Sequence, residues 1–295
     1  MNRGKILSLT ISINSSYNIA IKMKKLNLTL TALLFGINAY CQQGNCLQNL
    51  YLVDGFIYAN AIDKNIEQIN TIYRRESIFT FNYRFTDKNG KDLFFRITTN
   101  GNWDFISPNE TGDGVVKDYQ LKILNENMHS QTPKVSQIGI SYIFDKKSAI
   151  IEMTGLIENE KNIWMHPPRE YLFKILELSP YPYIKYPLEV GHRWNWKLQI
   201  GQHWGDKRWK VWSGNIENNY QYSIIGKETI KTSVGLLECY VIESEAKSEL
   251  GTSKLTSYFN KQFGFVKLVY TNIDKSKLEI NIQEVQKPII GIPKI

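Results

Sequence analysis

Five of the seven tryptophans fall within nineteen residues, at Trp194, Trp196, Trp204, Trp209 and Trp212. Aromatic rings along a shallow groove are how proteins stack on sugar faces or hold lipophilic ligands. Trp194 and Trp196 alternate with polar residues and share a face with Leu198 and Ile200, which places them in a core. Trp204 lies in Gly201-Gln202-His203-Trp204-Gly205-Asp206, a stretch with no period. Trp209 and Trp212 have opposite parity, so on a regular strand one of them faces away from the core. Trp204, Trp209, Trp212 and the neighbouring His203 are therefore candidate ligand contacts, against the alternative that they are ordinary core and surface aromatics.

A second candidate is the string Trp164-Met165-His166-Pro167-Pro168-Arg169-Glu170. Trp164, His166 and Arg169 would put a ring, an imidazole and a guanidinium on a proline-stiffened loop, a mixture suited to recognition. The same string also reads as a rigid connector between strands. His192, His203 and Asp206 flank one hairpin, but their spacing matches no metal-ligand pattern, so no metal or cofactor is assigned. Glu158, Glu160, Glu170 and Glu177 are scattered, without the paired placement that glycoside hydrolysis needs. No nucleophile elbow, P-loop or dinucleotide fingerprint occurs. No catalytic residue is assigned.

The elements that would position these residues are mostly strands. Ile62, Ile66, Ile69 and Tyr73 follow a helical spacing and predict one short amphipathic helix over Asp63–Arg74. The period then changes to two. Phe79, Phe81, Tyr83 and Phe85 alternate with polar residues, and Leu93, Phe95 and Ile97 follow Asn89-Gly90. Asn100-Gly101 precedes Trp103 and Phe105. Strand, Asn-Gly, strand is a strong hairpin signal. Further strands are expected at 119–124, 137–144, 148–156 and 171–178. Beyond these they are expected at 193–200, 209–212, 220–225, 236–244, 253–259, 265–270 and 278–285. The fold class is mainly β, an antiparallel meander forming curved open sheets or a half-barrel or sandwich. Pro180, Pro182 and Pro187 interrupt the ladder and mark a strap over residues 180–187 between an N-terminal half (42–179) and a C-terminal half (188–295). Tyr181, Tyr183 and Tyr186 in the strap are expected to bury their rings while their hydroxyls reach water.

The net charge of +8 resembles a nucleic-acid signal, but Arg3, Lys5, Lys22, Lys24 and Lys25 precede any acidic residue. Without those five, 31 basic residues face 28 acidic ones, and no basic run tracks a phosphate backbone, so nucleic acid is excluded as a partner. Met23-Lys24-Lys25, the short apolar run Leu26–Ile37 and Ala39-Tyr40-Cys41 follow one another as a signal peptide does. Residues 1–41 therefore read as a leader with an extension before a start at Met23. The apolar run is shorter than the roughly 20 residues a membrane helix needs, and no transmembrane segment is expected in the mature chain. The expected address is the periplasm or the outside of the cell. In that oxidising compartment Cys46 and Cys239 could pair, or could stay separate.

Tyr186-Pro187-Leu188-Glu189-Val190-Gly191 leads into Trp194 and Trp196. Gly235-Leu236-Leu237-Glu238-Cys239-Tyr240-Val241-Ile242 forms a central strand. Tyr258-Phe259 and Phe263-Gly264-Phe265-Val266-Lys267 flank a late glycine. In order and spacing these motifs resemble the TapB-like family of bacterial envelope proteins, over residues 186–285. Asn260-Lys261-Gln262 departs from that family's Pro/Gly-richer turn. The resemblance implies a curved, half-open antiparallel sheet in an exported, non-enzymatic domain. The expected function is binding of a lipophilic or polymeric ligand in the envelope. The alternative is a carbohydrate-binding or carbohydrate-active module using the Trp204–Trp212 hairpin. A lipid or a glycan is thus the expected partner.

Overall fold

A computed structural model describes residues 50–53, 57–60, 69–99, 101–128, 137–144 and 152–288, with side chains described from Ile69 onward outside residues 126–128. The leader, Cys46 and residues 63–68 of the expected helix lie outside them. Seventeen strands run in chain order. They are β1 (Leu50–Val53), β2 (Ile57–Asn60), β3 (Ile78–Thr86), β4 (Asp92–Ile97), β5 (Trp103–Ile106) and β6 (Val115–Val116). Next come β7 (Asp118–Met128), β8 (Gln137–Ile143), β9 (Glu152–Glu158), β10 (Asn162–Met165), β11 (Tyr183–Lys185) and β12 (Arg193–Gly201). The last five are β13 (Asn215–Thr232), β14 (Gly235–Ser248), β15 (Gly251–Asn260), β16 (Gly264–Thr271) and β17 (Lys277–Gln286).

Every pairing is antiparallel. The ladder runs from β1 through β2 to β12, then along β13, β14, β15, β16 and β17. It continues through β3, β7, β8, β9 and β10 to β11. Strands β4, β5 and β6 branch from the far end of β3. The two sides of the Pro/Tyr strap belong to one sheet, because β17 pairs with β3 from Lys277–Thr86 to Gln286–Ile78. The sheet curls until Tyr183 of β11 meets Trp194 and Trp196 of β12 with ring centroids 5.8 and 6.2 Å apart. It is a nearly closed barrel, and the mainly β expectation holds.

Alternation decides which face turns inward. Trp194, Trp196, Leu198 and Ile200 of β12 are buried, as are Phe79, Phe81, Tyr83 and Phe85 of β3. Strands β8 and β10 are buried nearly throughout, because they are covered on both faces.

The interior is filled by the chain itself. Tyr171–Leu178 is a 3₁₀ helix, not the strand expected there, and its apolar residues are buried on all sides. The run Leu172, Phe173, Ile175, Leu176 and Leu178 has no alternation, and a short apolar run of that kind does not distinguish strand from buried helix. Phe173 meets Tyr83, Phe95, Tyr119 and Phe144 at centroid distances of 5.3, 6.0, 5.2 and 5.3 Å. The segment His166–Tyr181 plugs the barrel, and its carbonyls find partners on the sheet's inner face. Leu178 O accepts from Ser253 Oγ (2.7 Å) and Asn218 Nδ2 (3.3 Å), Tyr181 O from Tyr222 OH (3.1 Å), and His166 O from Tyr142 OH (2.6 Å). Polar groups on inward positions of β13, β15 and β8 thus satisfy a buried, non-sheet backbone.

Other expectations are corrected. Ile69–Arg74 is not helical. Glu158 takes the backbone N–H groups of Thr71, Ile72 and Tyr73 at 2.8 Å each, binding this segment to β9 instead. The Tyr73 phenol then donates to no carboxylate but accepts from Phe265 N at 3.0 Å, beside Gly264, where an added Cβ would collide with it. Residues 209–212 form no strand, only the single bridge Asp206–Lys210. In the strap, Tyr181 and Tyr183 do not send their hydroxyls to water. They donate to Glu177 Oε2 (2.6 Å) and Asn162 Oδ1 (2.8 Å), since both rings are buried in the barrel. Cys239 is buried, and burial pushes its thiol up to about 11.

Candidate functional site

The candidate residues separate into four places. Trp164 and His166 lie in the sealed interior, each 0% exposed, so neither can touch a ligand from solvent. His166 Nδ1 is 2.7 Å from Pro167 O, and because a carbonyl only accepts, that nitrogen carries a proton. His166 Nε2 is 3.5 Å from Glu177 Oε1, and Glu177 Oε2 accepts from Tyr181. Burial holds the Tyr181 phenol neutral, far above its ordinary range. This is an imidazole–carboxylate–phenol set without a route to substrate. His166, read from the sequence as a recognition-loop or connector residue, is instead core, held by Tyr142 of β8 and Glu177.

Arg169, Trp204 and His203 form the second group. The Arg169 guanidinium lies 5.3 Å from the Trp204 ring centroid, and the His203 ring lies 4.8 Å from Trp204. Arg169 N donates to both Glu152 oxygens at 3.0 and 3.1 Å, with Nε 3.8 Å from Oε1. Burial pushes Glu152 up to about 8 against those N–H groups and the Arg169 charge. Partial burial lowers His203, with Lys174 and Arg169 adding to that effect and Glu177 opposing it. Trp204 is half-buried. Among the described residues no cluster of three His, Cys, Asp or Glu could hold a metal ion.

Trp209 belongs to the third place. The connector between β12 and β13 reaches across to the β4–β5 hairpin. There the Arg208 guanidinium stacks 4.1 Å from the Trp103 centroid, donates to Trp103 O at 3.0 Å and pairs with Asp206 at 2.8 Å. Trp209 stacks beside Trp103 (6.3 Å, 26°), Trp103 meets Phe105 edge-on (5.0 Å, 78°), and Phe105 stacks on Phe85 (5.2 Å, 16°). This chain of rings floors a pocket of about 470 Å³ at one end of the barrel. Phe85, Leu93, Phe105, Trp209 and Ile273 supply its apolar lining, and Asp87, Lys88, Asn89, Arg208, Lys210, Asp274 and Lys275 its rim. The volume suits a small organic ligand.

Trp212 stays apart, half-buried, with its Nε1 3.4 Å from Ile200 O. Of the three tryptophans, Trp204 and Trp212 are half-buried and Trp209 is buried. A second groove of about 560 Å³ over β12–β15 is lined largely by polar residues such as Arg193, Asn195, Gln221 and Glu243. Reading the sequence for function missed Phe85, Leu93, Phe105 and Ile273, whose alternation marks them only as strand-face or turn-flanking residues.

No protein-family model matches the chain, and no curated protein matches it. Solved structures resemble it weakly. A protein from Bacteroides fragilis NCTC 9343, described as exported and as having a YmcC-like fold, shares 10% identity at a TM-score of 0.40, covering 72% of this chain and 96% of that one. A protein from Parabacteroides distasonis ATCC 8503, described as a lipoprotein, shares 11% at 0.40, covering 72% and 95%. The hypothetical lipoprotein YmcC of Escherichia coli K12 shares 11% at 0.30, covering 72% and 86%. Likeness at this level carries no argument about chemistry. Among the described residues no helix is long and apolar enough to cross a membrane.

Proposed function

We propose that this chain is an exported envelope protein that binds a lipophilic ligand without catalysing a reaction, at the aromatic-floored pocket beside Phe105 and Trp209. The single observation that carries this reading is the ring floor itself, half-buried Phe105 between the buried rings of Phe85 and Trp209, lining a cavity of about 470 Å³, while the barrel interior is occupied by its own chain. Export rests on the leader motif and on the TapB-like resemblance of residues 186–285. A binding role rather than catalysis rests on the sealed position of the His166–Glu177 pair, the arrangement in this molecule closest to an acid–base site.

The test uses the full exported chain and the neutral fluorescent probe N-phenyl-1-naphthylamine. Saturable binding by the wild type is expected, weakened at least tenfold by Phe105→Ala, with the thermal transition retained. Absence of saturable binding, or affinity unchanged in Phe105→Ala, would overturn the reading.

A further inference from the structure

The rim of this pocket is not electrically neutral. Lys88 comes from the β3–β4 turn, Lys210 from the β12–β13 connector and Lys275 from the β16–β17 turn, so three separate segments bring cations to one mouth. Like charges gathered around an apolar opening repel unless something answers them. Two carboxylates, Asp87 and Asp274, share the rim and keep their charge while accepting hydrogen bonds, so the four cations there, Lys88, Arg208, Lys210 and Lys275, leave a surplus of two positive charges. Asp87 Oδ1 accepts from the backbone N–H of Asn89 and Lys91 at 2.9 Å each. Asp274 Oδ1 accepts from Ser276 N (3.0 Å) and Ser276 Oγ (2.6 Å). Asp206 pairs with Arg208. Lys275 Nζ donates to a carbonyl, Thr252 O, at 3.3 Å.

We infer that the pocket selects an amphiphile with a single anionic group. Its apolar or aromatic body lies on the ring floor, and its carboxylate, sulfonate or phosphate sits among Lys88, Lys210 and Lys275. This rests on the pocket reading above and adds the sign of the ligand's charge to it. The anion belongs at the rim rather than over the rings, because aromatic faces are electron-rich and repel it.

Two probes that differ by one group separate the inferences. 8-Anilino-1-naphthalenesulfonate carries a sulfonate on the body of N-phenyl-1-naphthylamine. The sulfonate is expected to bind the wild-type chain at least tenfold more tightly than the neutral probe. That advantage should fall below threefold in Lys88→Gln/Lys210→Gln, and also at about 0.5 M salt, where exposed charges are screened within a few ångströms. Equal affinities in the wild type would overturn the anion inference and leave the pocket reading standing. So would an advantage that survives the double substitution. Failure of both probes would overturn both readings. Competition then names the source of the body: displacement of the sulfonate probe by laurate supports an acyl ligand, and displacement by 1-naphthoate an aromatic acid. Displacement by inorganic phosphate alone at equal concentration would show that the head group binds without the floor, and would overturn the amphiphile.

Discussion

Two aromatic clusters of similar composition meet opposite fates in this molecule. In the interior, Trp164, Tyr181, Trp196 and Tyr220 pack within about 6 Å of one another around His166 and Glu177. At the barrel end, Phe85, Phe105, Trp103 and Trp209 stack at similar spacing beside Arg208 and Asp206. The first is roofed by a segment of the same chain, whose carbonyls are met by Ser253, Asn218 and Tyr222. Among the described residues, turns that carry lysines border the second. Rings and charges alone therefore do not make a site. What matters is whether the chain returns to cover them.

The largest expected effect is on the covered cluster. Phe173→Ala removes a fully buried ring that touches four others and should lower stability by about 4 kcal/mol in urea titration. Phe173→Leu, which keeps most of the volume, should lower it by about 1.5 kcal/mol and leave probe binding at the pocket unchanged. Altered probe affinity in the leucine variant would erase the distinction between the two clusters.

Next comes the closure supplied by Glu158. Replacing it with alanine strands the N–H groups of Thr71, Ile72 and Tyr73, with an expected loss of about 3 kcal/mol and faster amide exchange at Ile72 and Tyr73. Exchange unchanged at those amides would show that the Ile69–Tyr73 segment is held by something other than this carboxylate.

A smaller effect follows the pH. Glu152 is raised from its ordinary 4.5 to about 8, so the folded chain holds a proton that the unfolded chain releases. The stability this contributes is fully present below about pH 4.5 and is lost as pH rises through about 8. Glu152→Gln cannot ionise, so the Tm difference between the variant and the wild type should widen in the variant's favour by several degrees from pH 4.5 to 8.5. A difference independent of pH would mean that Arg169 keeps Glu152 ionised throughout. The smallest stability effect belongs to the open cluster: Lys88→Gln, at an exposed turn, should change stability by less than about 0.5 kcal/mol while reducing affinity for the sulfonate probe.

Much of the scaffold was legible in the residues alone. Strands β3, β12, β15 and β17 follow from alternation, because a half-buried strand must put every second side chain in the core. Asn89-Gly90 marks the β3–β4 turn because Gly90 adopts φ +84°, which glycine tolerates without strain. Tyr171–Leu178 was misread because it is apolar in every direction, and nothing local says whether such a run joins a sheet or is swallowed by one. His166 looked like a loop histidine for a related reason: proline pairs announce a break in the ladder, not the side of the sheet on which the break falls.

The sequence by itself determined the alternation of the long strands and the turn at Asn89-Gly90, which depend on neighbours one and two positions away. Only the tertiary structure decided which aromatics can be reached. Arg208 covers a face of Trp103 from 105 positions away, and Leu178 lies 75 positions from the serine that anchors its carbonyl. Exposure is set by whatever segment the fold lays over a ring. Contacts of that range leave no periodic mark in the chain, because each is a single meeting of two distant segments.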